Sequence, residues 1–578
     1  MKNPVMCLRL TCLLAPAILI GCMAPTPPAG PGETRNDEPR RAQTVTIGVT
    51  GTVSSMSVSS ASTPAGGWNT TEEIHSNGLI TSDLQTRKAI GHLAERAPSF
   101  DDGSVSLLPD GRMRVVFNLR TGVTWQDGAP FTAQDLLFST QILKDSGLPF
   151  RRGDPIGQLE SAEAPDDFTF VMNYREPYYE GATLGLQRFW PQPRHLLASA
   201  YEKYRSTGNA DDVMGLPYWS SEYVHLGAFR LTEFDPGSGL VLQAYDRYFL
   251  GKPKVDVIRI QAFGDQSTMF SNLLAGTIDL IPDLALAAER GFQLQKAWKE
   301  TGGGTAYARQ GAPFSLIPQH RPRVQTEPAN LDPRVRAALY YALDRAELSD
   351  GVNGGNPQFA ISTILPEEDP LSAVIAGALN QFRYDPGRAL ALLREAGWVR
   401  DQDGALRHTS DGRRYQVEIV AVAGREQEIA AMADYWRRLG IEAGERIHPG
   451  AQVRDNEYRA TYPSWEATGP GIIGSLVGPA ASAATRWVGS RPGYEDQRAD
   501  QLVSIFRSSI SDRDQAQAIR AISDFVVAEL PLLPLYWLAD YIGVRTGVRA
   551  LDDMAGGAGV QRAYGGYFRA AYLWEVVG

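Results

Sequence analysis

The order of its segments predicts an α/β chain built as more than one lobe. Strand-like and helix-like stretches alternate along the chain. Its 578 residues, 43% of them hydrophobic, exceed what one core usually organises. Several helices also carry legible start signals. Thr44-Val45-Thr46-Ile47-Gly48-Val49 alternates and is rich in β-branched residues, which predicts a strand. The polar stretch to about Asn69 reads as loop, and Gly78 to Ala97 as partly helical. Met113 to Leu119 is a second strand, followed by a turn at Trp125-Gln126-Asp127-Gly128. Thr132 and Asp135 then form a capping-box pattern ahead of Leu136, Leu137, Ile142 and Leu143.

Two later helices share one grammar. Asp332-Pro333 opens the first, with Val335, Leu339, Ala342 and Leu343 on a face. Asp385-Pro386 opens the second, with Ala389, Leu392, Leu393 and Ala396, and Gly397 stops it. The aspartate accepts from free backbone N–H groups, and proline at the first helical position loses no hydrogen bond. A further helix starts near Gln427, carries Ile429, Ala433, Trp436 and Leu439, and ends at Gly440. Tyr415 to Val420 alternates as a strand between these helices. No short-period repeat is present.

The first 21 residues read as an export signal. Lys2 and Arg9 supply the positive start, and Leu10 to Ile20 an apolar run too short to stay as a membrane-spanning helix. Leu19-Ile20-Gly21-Cys22 resembles the bacterial lipoprotein signal, which implies a mature chain starting at a lipidated Cys22. The alternative is an ordinary signal peptide with an incidental cysteine. Residues 22–43 hold Pro25, Pro27, Pro28 and Pro31 among polar residues and read as a tether. Of the three cysteines, Cys7 and Cys12 fall in the removed segment, so a mature chain has neither an internal disulfide nor a thiolate metal site. Formal charge is −10, with no long basic cluster, so nucleic acid is not an expected partner. Phe525 to Leu538, the best later apolar stretch, is interrupted by Glu529, Pro531 and Pro534.

Several segments, in order, resemble one family: the extracellular solute-binding proteins of peptide/nickel-type ABC importers, family 5. The stretch from Val116-Phe117-Asn118-Leu119 through Trp125-Gln126-Asp127-Gly128 to Thr132-Ala133-Gln134-Asp135-Leu136 is similar to its most recognisable segment. Gly276-Thr277-Ile278-Asp279-Leu280, the Arg334-Val335-Arg336 helix, Tyr384-Asp385-Pro386 with Ala396-Gly397-Trp398, and Pro531-Leu532-Leu533-Pro534-Leu535-Tyr536 match in register. The resemblance implies a two-lobed periplasmic-binding-protein fold with an extra subdomain in the first lobe. It places lobe 1 at 44–311 plus 549–578, the subdomain at about 78–180, and lobe 2 at 312–548. It further implies a monomer that captures a peptide-like or other small solute, delivers it to an ABC permease and its ATPases, and sits in the periplasm on a lipid anchor. No cofactor, metal or catalytic residue is expected.

Clefts of such receptors hold aromatics and a few placed polar groups. Trp68, Trp465, Trp487 and Tyr494 read as loop aromatics suited to that role. In the family's peptide receptors an acidic residue shortly after a Gly-Trp pair captures the ligand ammonium. Here Ser464-Trp465-Glu466-Ala467-Thr468 aligns Thr468 with that position and puts Glu466 two residues early. A buried ammonium without counter-charge is costly. Either Glu466 takes the role, or the ligand is not an ordinary free-amine peptide. Arg486, beside Trp487, is a candidate partner for a carboxylate.

Competing readings are a non-transport envelope receptor and an exported hydrolase. The sequence has no Gly-x4-Gly-Lys-Ser/Thr loop, no His-Glu-x-x-His and no Gly-x-Ser-x-Gly elbow. Its seven histidines are scattered. Gly469-Pro470-Gly471-Ile472-Ile473-Gly474 fits Gly-x-Gly-x-x-Gly but lacks a clear helix start, and reads as a flexible cleft loop.

Overall fold

The computed structural model describes residues 42–56, 67–83, 86, 88–150, 154–186, 188–549 and 567–577. The signal segment, Cys22 and the tether up to residue 41 lie outside the described residues.

Thr44–Thr50 forms β1, a strand buried along most of its length. A small antiparallel sheet follows, made by β2 (Val105–Leu107), β3 (Met113–Asn118), β4 (Leu159–Glu163) and β5 (Thr169–Tyr174), in the order β2-β3-β5-β4. Helix α1 (Ala133–Lys144) packs on it, and both halves of its Thr132/Asp135 capping box are made. The chain then lays down β6 (Phe229–Asp235), β7 (Gly239–Ala244), β8 (Val257–Phe263), α2 (Gln266–Leu274), β9 (Leu280–Ile281) and α3 (Ala288–Thr301). Gly304–Pro318, a 15-residue strand, is β10.

Beyond it come α4 (Pro333–Tyr341), α5 (Arg345–Val352), α6 (Pro386–Glu395), β11 (Gln416–Ala421), α7 (Glu426–Arg438), β12 (Glu442–Ile447) and β13 (Trp465–Thr468). Two helices, α8 (Gln497–Ser508) and α9 (Asp512–Glu529), precede the 13-residue β14 (Leu533–Arg545). As the aspartate-proline pairs predict, Asp332 and Asp385 cap α4 and α6 through their side chains. Gly440 ends α7 at φ 91°, with its α-carbon so close to the Gly404 carbonyl that a Cβ would lie 2.2 Å from it.

Ten strands form one mixed sheet in the order β12-β11-β13-β10-β14-β9-β1-β8-β7-β6. Pairing is parallel where helices connect the strands (β1 with β8 and β9, β11 with β12 and β13) and antiparallel elsewhere. The two long strands β10 and β14 pair antiparallel from Gly304↔Arg545 to Leu316↔Leu533 and join the halves of the sheet. Buried apolar side chains form two clusters. One draws on Val45 to Ile260 with Tyr567 to Trp574, the other on Phe263 to Tyr541.

Two expectations are corrected. Among the described residues of 78–97 there is no helix; Ile80–Ser82 and Ala89–Gly91 pair antiparallel, because Leu79, Ile80, Leu93 and Ala94 are buried together in the first cluster. The helix opened by Asp332 ends at Tyr341, since Asp344 starts α5 by accepting from the Ala346 and Glu347 amides; Ala342 and Leu343 stay buried but lie between helices.

Candidate functional site

The parallel strands of both halves end facing one another across β10 and β14. Their outgoing loops and helix starts enclose a cavity of about 1200 Å³. From the first half come the start of α2 and the segment Leu284 to Glu289; from the second come α5 and the start of α7. The crossing strands supply the floor, Gly311–Ala312 and Leu538–Asp540. A register shift between Gln310 and Pro313 lifts the floor out of regular pairing, and at Gly311 a Cβ would lie 3.0 Å from the Leu538 carbonyl.

Among the charged side chains at the walls, carboxylates predominate: Glu289, Glu347, Asp350, Glu426, Glu428 and Asp540 against Arg425. Arg425 occupies the N-cap of α7, lies 5.0 Å above the Phe314 ring and donates to Glu428. Burial pushes the Glu428 carboxyl up, against the pull of Arg425. Tyr435, farther along α7, donates its hydroxyl to Glu347 on α5. Leu284 holds a left-handed backbone (φ 64°), and its amide donates to Asp540 Oδ1 at 2.7 Å. Among the described residues, no group of three or more His, Cys, Asp and Glu is placed to share a metal ion.

None of the seven residues singled out in the sequence for ligand contact lines this cavity. Trp68 is 2% exposed, starts the short helix Trp68–Thr71 and stacks on His75 at 5.6 Å. Trp465 is a strand residue, not a loop aromatic; it is fully buried, 5.3 Å from the Trp436 ring. Thr468 ends β13 half-buried opposite Ser315. Tyr494 packs its ring 4.6 Å from His320. Arg486 and Trp487 are consecutive left-handed residues (φ 52° and 58°) just after the Ser482–Thr485 capping box.

Glu466 is buried inside an arginine cage. Arg459 donates to Oε1 through Nε at 3.1 Å and through a second nitrogen, and Arg491 lies 3.6 Å from Oε2. Burial raises this carboxyl, but the nearby His448 ring and the charges of Arg491 and Arg459 outweigh it and hold it below the usual range. His448 Nε2 stands 3.7 Å from Oε1, longer than a formed hydrogen bond. The carboxylate is therefore ionised and already matched by protein cations.

The charged residues that do shape the site escaped notice in the sequence. Arg309 on β10 and Asp540 on β14 face each other across the crossing strands. Both are charged residues in the interior of long, largely buried strands, which was the available signal.

Two lobes, joined by crossing strands and closing on a cavity, define a binding protein of the periplasmic type. The sequence profile of the bacterial extracellular solute-binding proteins, family 5 (middle), matches residues 90–477, and the chain belongs to that family. The oligopeptide-binding protein AppA of Bacillus subtilis is 24% identical over 349 residues, covering 58% of this chain and 59% of that relative. The chain thus spans little more than half the length of the curated relatives it matches first. Among solved structures, the substrate-binding protein CtaP of Listeria monocytogenes superposes with a TM-score of 0.71 at 16% identity, covering 93% of this chain and 100% of that one. NikZ of Campylobacter jejuni, in complex with Ni(L-His), superposes at 0.67 with 17% identity, over 92% and 99%. These likenesses show a common fold, and the family's role is solute binding.

Proposed function

We propose that this protein is the solute receptor of an ABC importer. It captures a peptide-like or other small solute between lobes 44–311 plus 549–578 and 312–548, and hands it to a permease driven by ATPases. The observation that carries the reading is the cavity of about 1200 Å³ between the two lobes. It is of the size that encloses most of a small ligand's surface. Relatives extend the range: AppA is named for oligopeptides and NikZ was solved with Ni(L-His). The matched charge of Glu466 argues against its serving as the ammonium clamp, so the ligand anchors elsewhere. Lipidation at Cys22 and a periplasmic, membrane-tethered, monomeric state complete the proposal.

Natively purified protein should release a small molecule detectable by mass spectrometry. Peptide libraries should contain members that raise the melting temperature, since saturation at a hundred times Kd adds about 2.7 kcal/mol to the native state. No carried solute, and no shift with any peptide, amino-acid chelate or sugar-derivative set, would overturn the reading.

A further inference from the structure

Four charged side chains meet where the crossing strands leave lobe 1. Arg309 of β10 places Nη2 at 3.0 Å from Asp283 Oδ2 and 3.2 Å from Asp540 Oδ2. Its other terminal nitrogen, Nη1, is 3.6 Å from Glu368 Oε1. The guanidinium is 2% exposed, Asp283 not at all, Asp540 6% and Glu368 18%.

Their origins differ. Asp283 follows β9 in lobe 1, where the Tyr567 hydroxyl also donates to it at 3.2 Å. Asp540 is the cross-strand partner of Arg309, so one side of the guanidinium is fixed within lobe 1 and the crossing strands. Glu368 belongs to lobe 2, and its neighbour Glu367 donates its amide to Gln310 Oε1 at 2.9 Å. Glu368 is the most exposed of the three carboxylates and the only one that lobe 2 contributes from outside the crossing strands. Asp540 also lines the cavity and accepts from the strained Leu284 amide on its wall.

A buried guanidinium held by carboxylates on one side is preset for a third, because its desolvation and side-chain entropy are already spent. We propose that Arg309, held by Asp283 and Asp540, is a catch for Glu368, and that this latch keeps lobe 2 closed against lobe 1. Separating the lobes withdraws Glu368 into water and leaves the other three in place. Burial, and Asp540 beside it, raise the Asp283 carboxyl against the pull of Arg309. The Thr70 and Tyr567 hydroxyls are the remaining groups that bond it. The latch rests on the two-lobed fold and not on the identity of any solute.

The test reads lobe separation directly. In the full chain with Cys7, Cys12 and Cys22 changed to serine, spin labels go on Leu107→Cys and Ile505→Cys. Both side chains are exposed and flank a second, apolar gap between the lobes. The protein is unfolded and refolded to strip carried solute, and label distances are measured by pulsed electron spin resonance. Glu368→Gln should cut the short-distance population at least threefold, and Arg309→Met should do the same. Arg309→Met strands buried carboxylates and can fail to fold; Glu368→Gln, at a partly exposed site, then decides alone, with circular dichroism as the fold control. Unchanged distances in a folded Glu368→Gln protein overturn the latch. Since no solute is present, that outcome leaves solute binding untouched, and failure to find a ligand leaves the latch untouched.

Discussion

Glu466, expected from the sequence as a candidate partner for a ligand ammonium, stands on β13 with its charge already matched inside the protein. Arg459 and Arg491 hold it, and Arg459 has little access to water. Removing one partner of a buried pair leaves the other charge uncompensated, which costs about 3–5 kcal/mol. Glu466→Ala should therefore lower the urea midpoint by that order, while any direct ligand contact would appear as lost affinity in a still-stable protein. Asp283 behaves in the opposite sense. Burial raises its carboxyl to about 6 from the model-compound 3.8, so its ionised form is disfavoured in the folded chain. The unfolded chain releases this proton first, so the folded chain binds more protons between about pH 4 and 6 and stability falls as pH rises through that window. The stability of Asp283→Asn relative to the parent should then shift in the variant's favour as pH rises from 4.5 to 7.5. Urea denaturation at both pH values measures it; a gap that does not change with pH refutes the raised carboxyl.

At the scale of elements, the helix starts obey local rules. Asp332 and Asp385 each accept from an amide two or three residues on, as their aspartate-proline pairs predict, and Asp344, not anticipated in the sequence, does the same for α5. Asp385→Ala should cost about 1 kcal/mol in urea denaturation, because one first-turn amide of α6 loses its acceptor. An unchanged midpoint would mean that water replaces the cap at no cost. Strands were harder to place in the right surroundings. Trp465 and Trp68 sit in stretches without strong helical or alternating patterns, which is why they read as loop; burial against Trp436 and His75 is a consequence of tertiary packing. The Gly78 to Ala97 segment shows the same limit. Its apolar residues suit either a helix or paired strands, and only the partners on the first cluster select the strands.

For the molecule as a whole, ordered family motifs were enough to anticipate two lobes. They did not reveal the charged cluster beside the cavity. Arg309 and Asp540 are 231 residues apart in sequence and adjacent in space. Asp283 and Tyr567, 284 residues apart, meet in the same way. A solute that fills the cavity should raise the melting temperature and, by closing the lobes, slow amide exchange along Gly311–Ala312. Stabilisation without that protection would place the solute outside the cavity.

Taken by itself, the sequence determined which segments are strands and helices at their capped ends, the α/β class, and membership of a two-lobed family. Those depend on side-chain periodicity and on contacts within a few residues. Only the tertiary structure decided which carboxylates are free and which are spent. The charge state and role of Glu466 and Asp283 depend on cations brought to them by the fold and on the water it excludes.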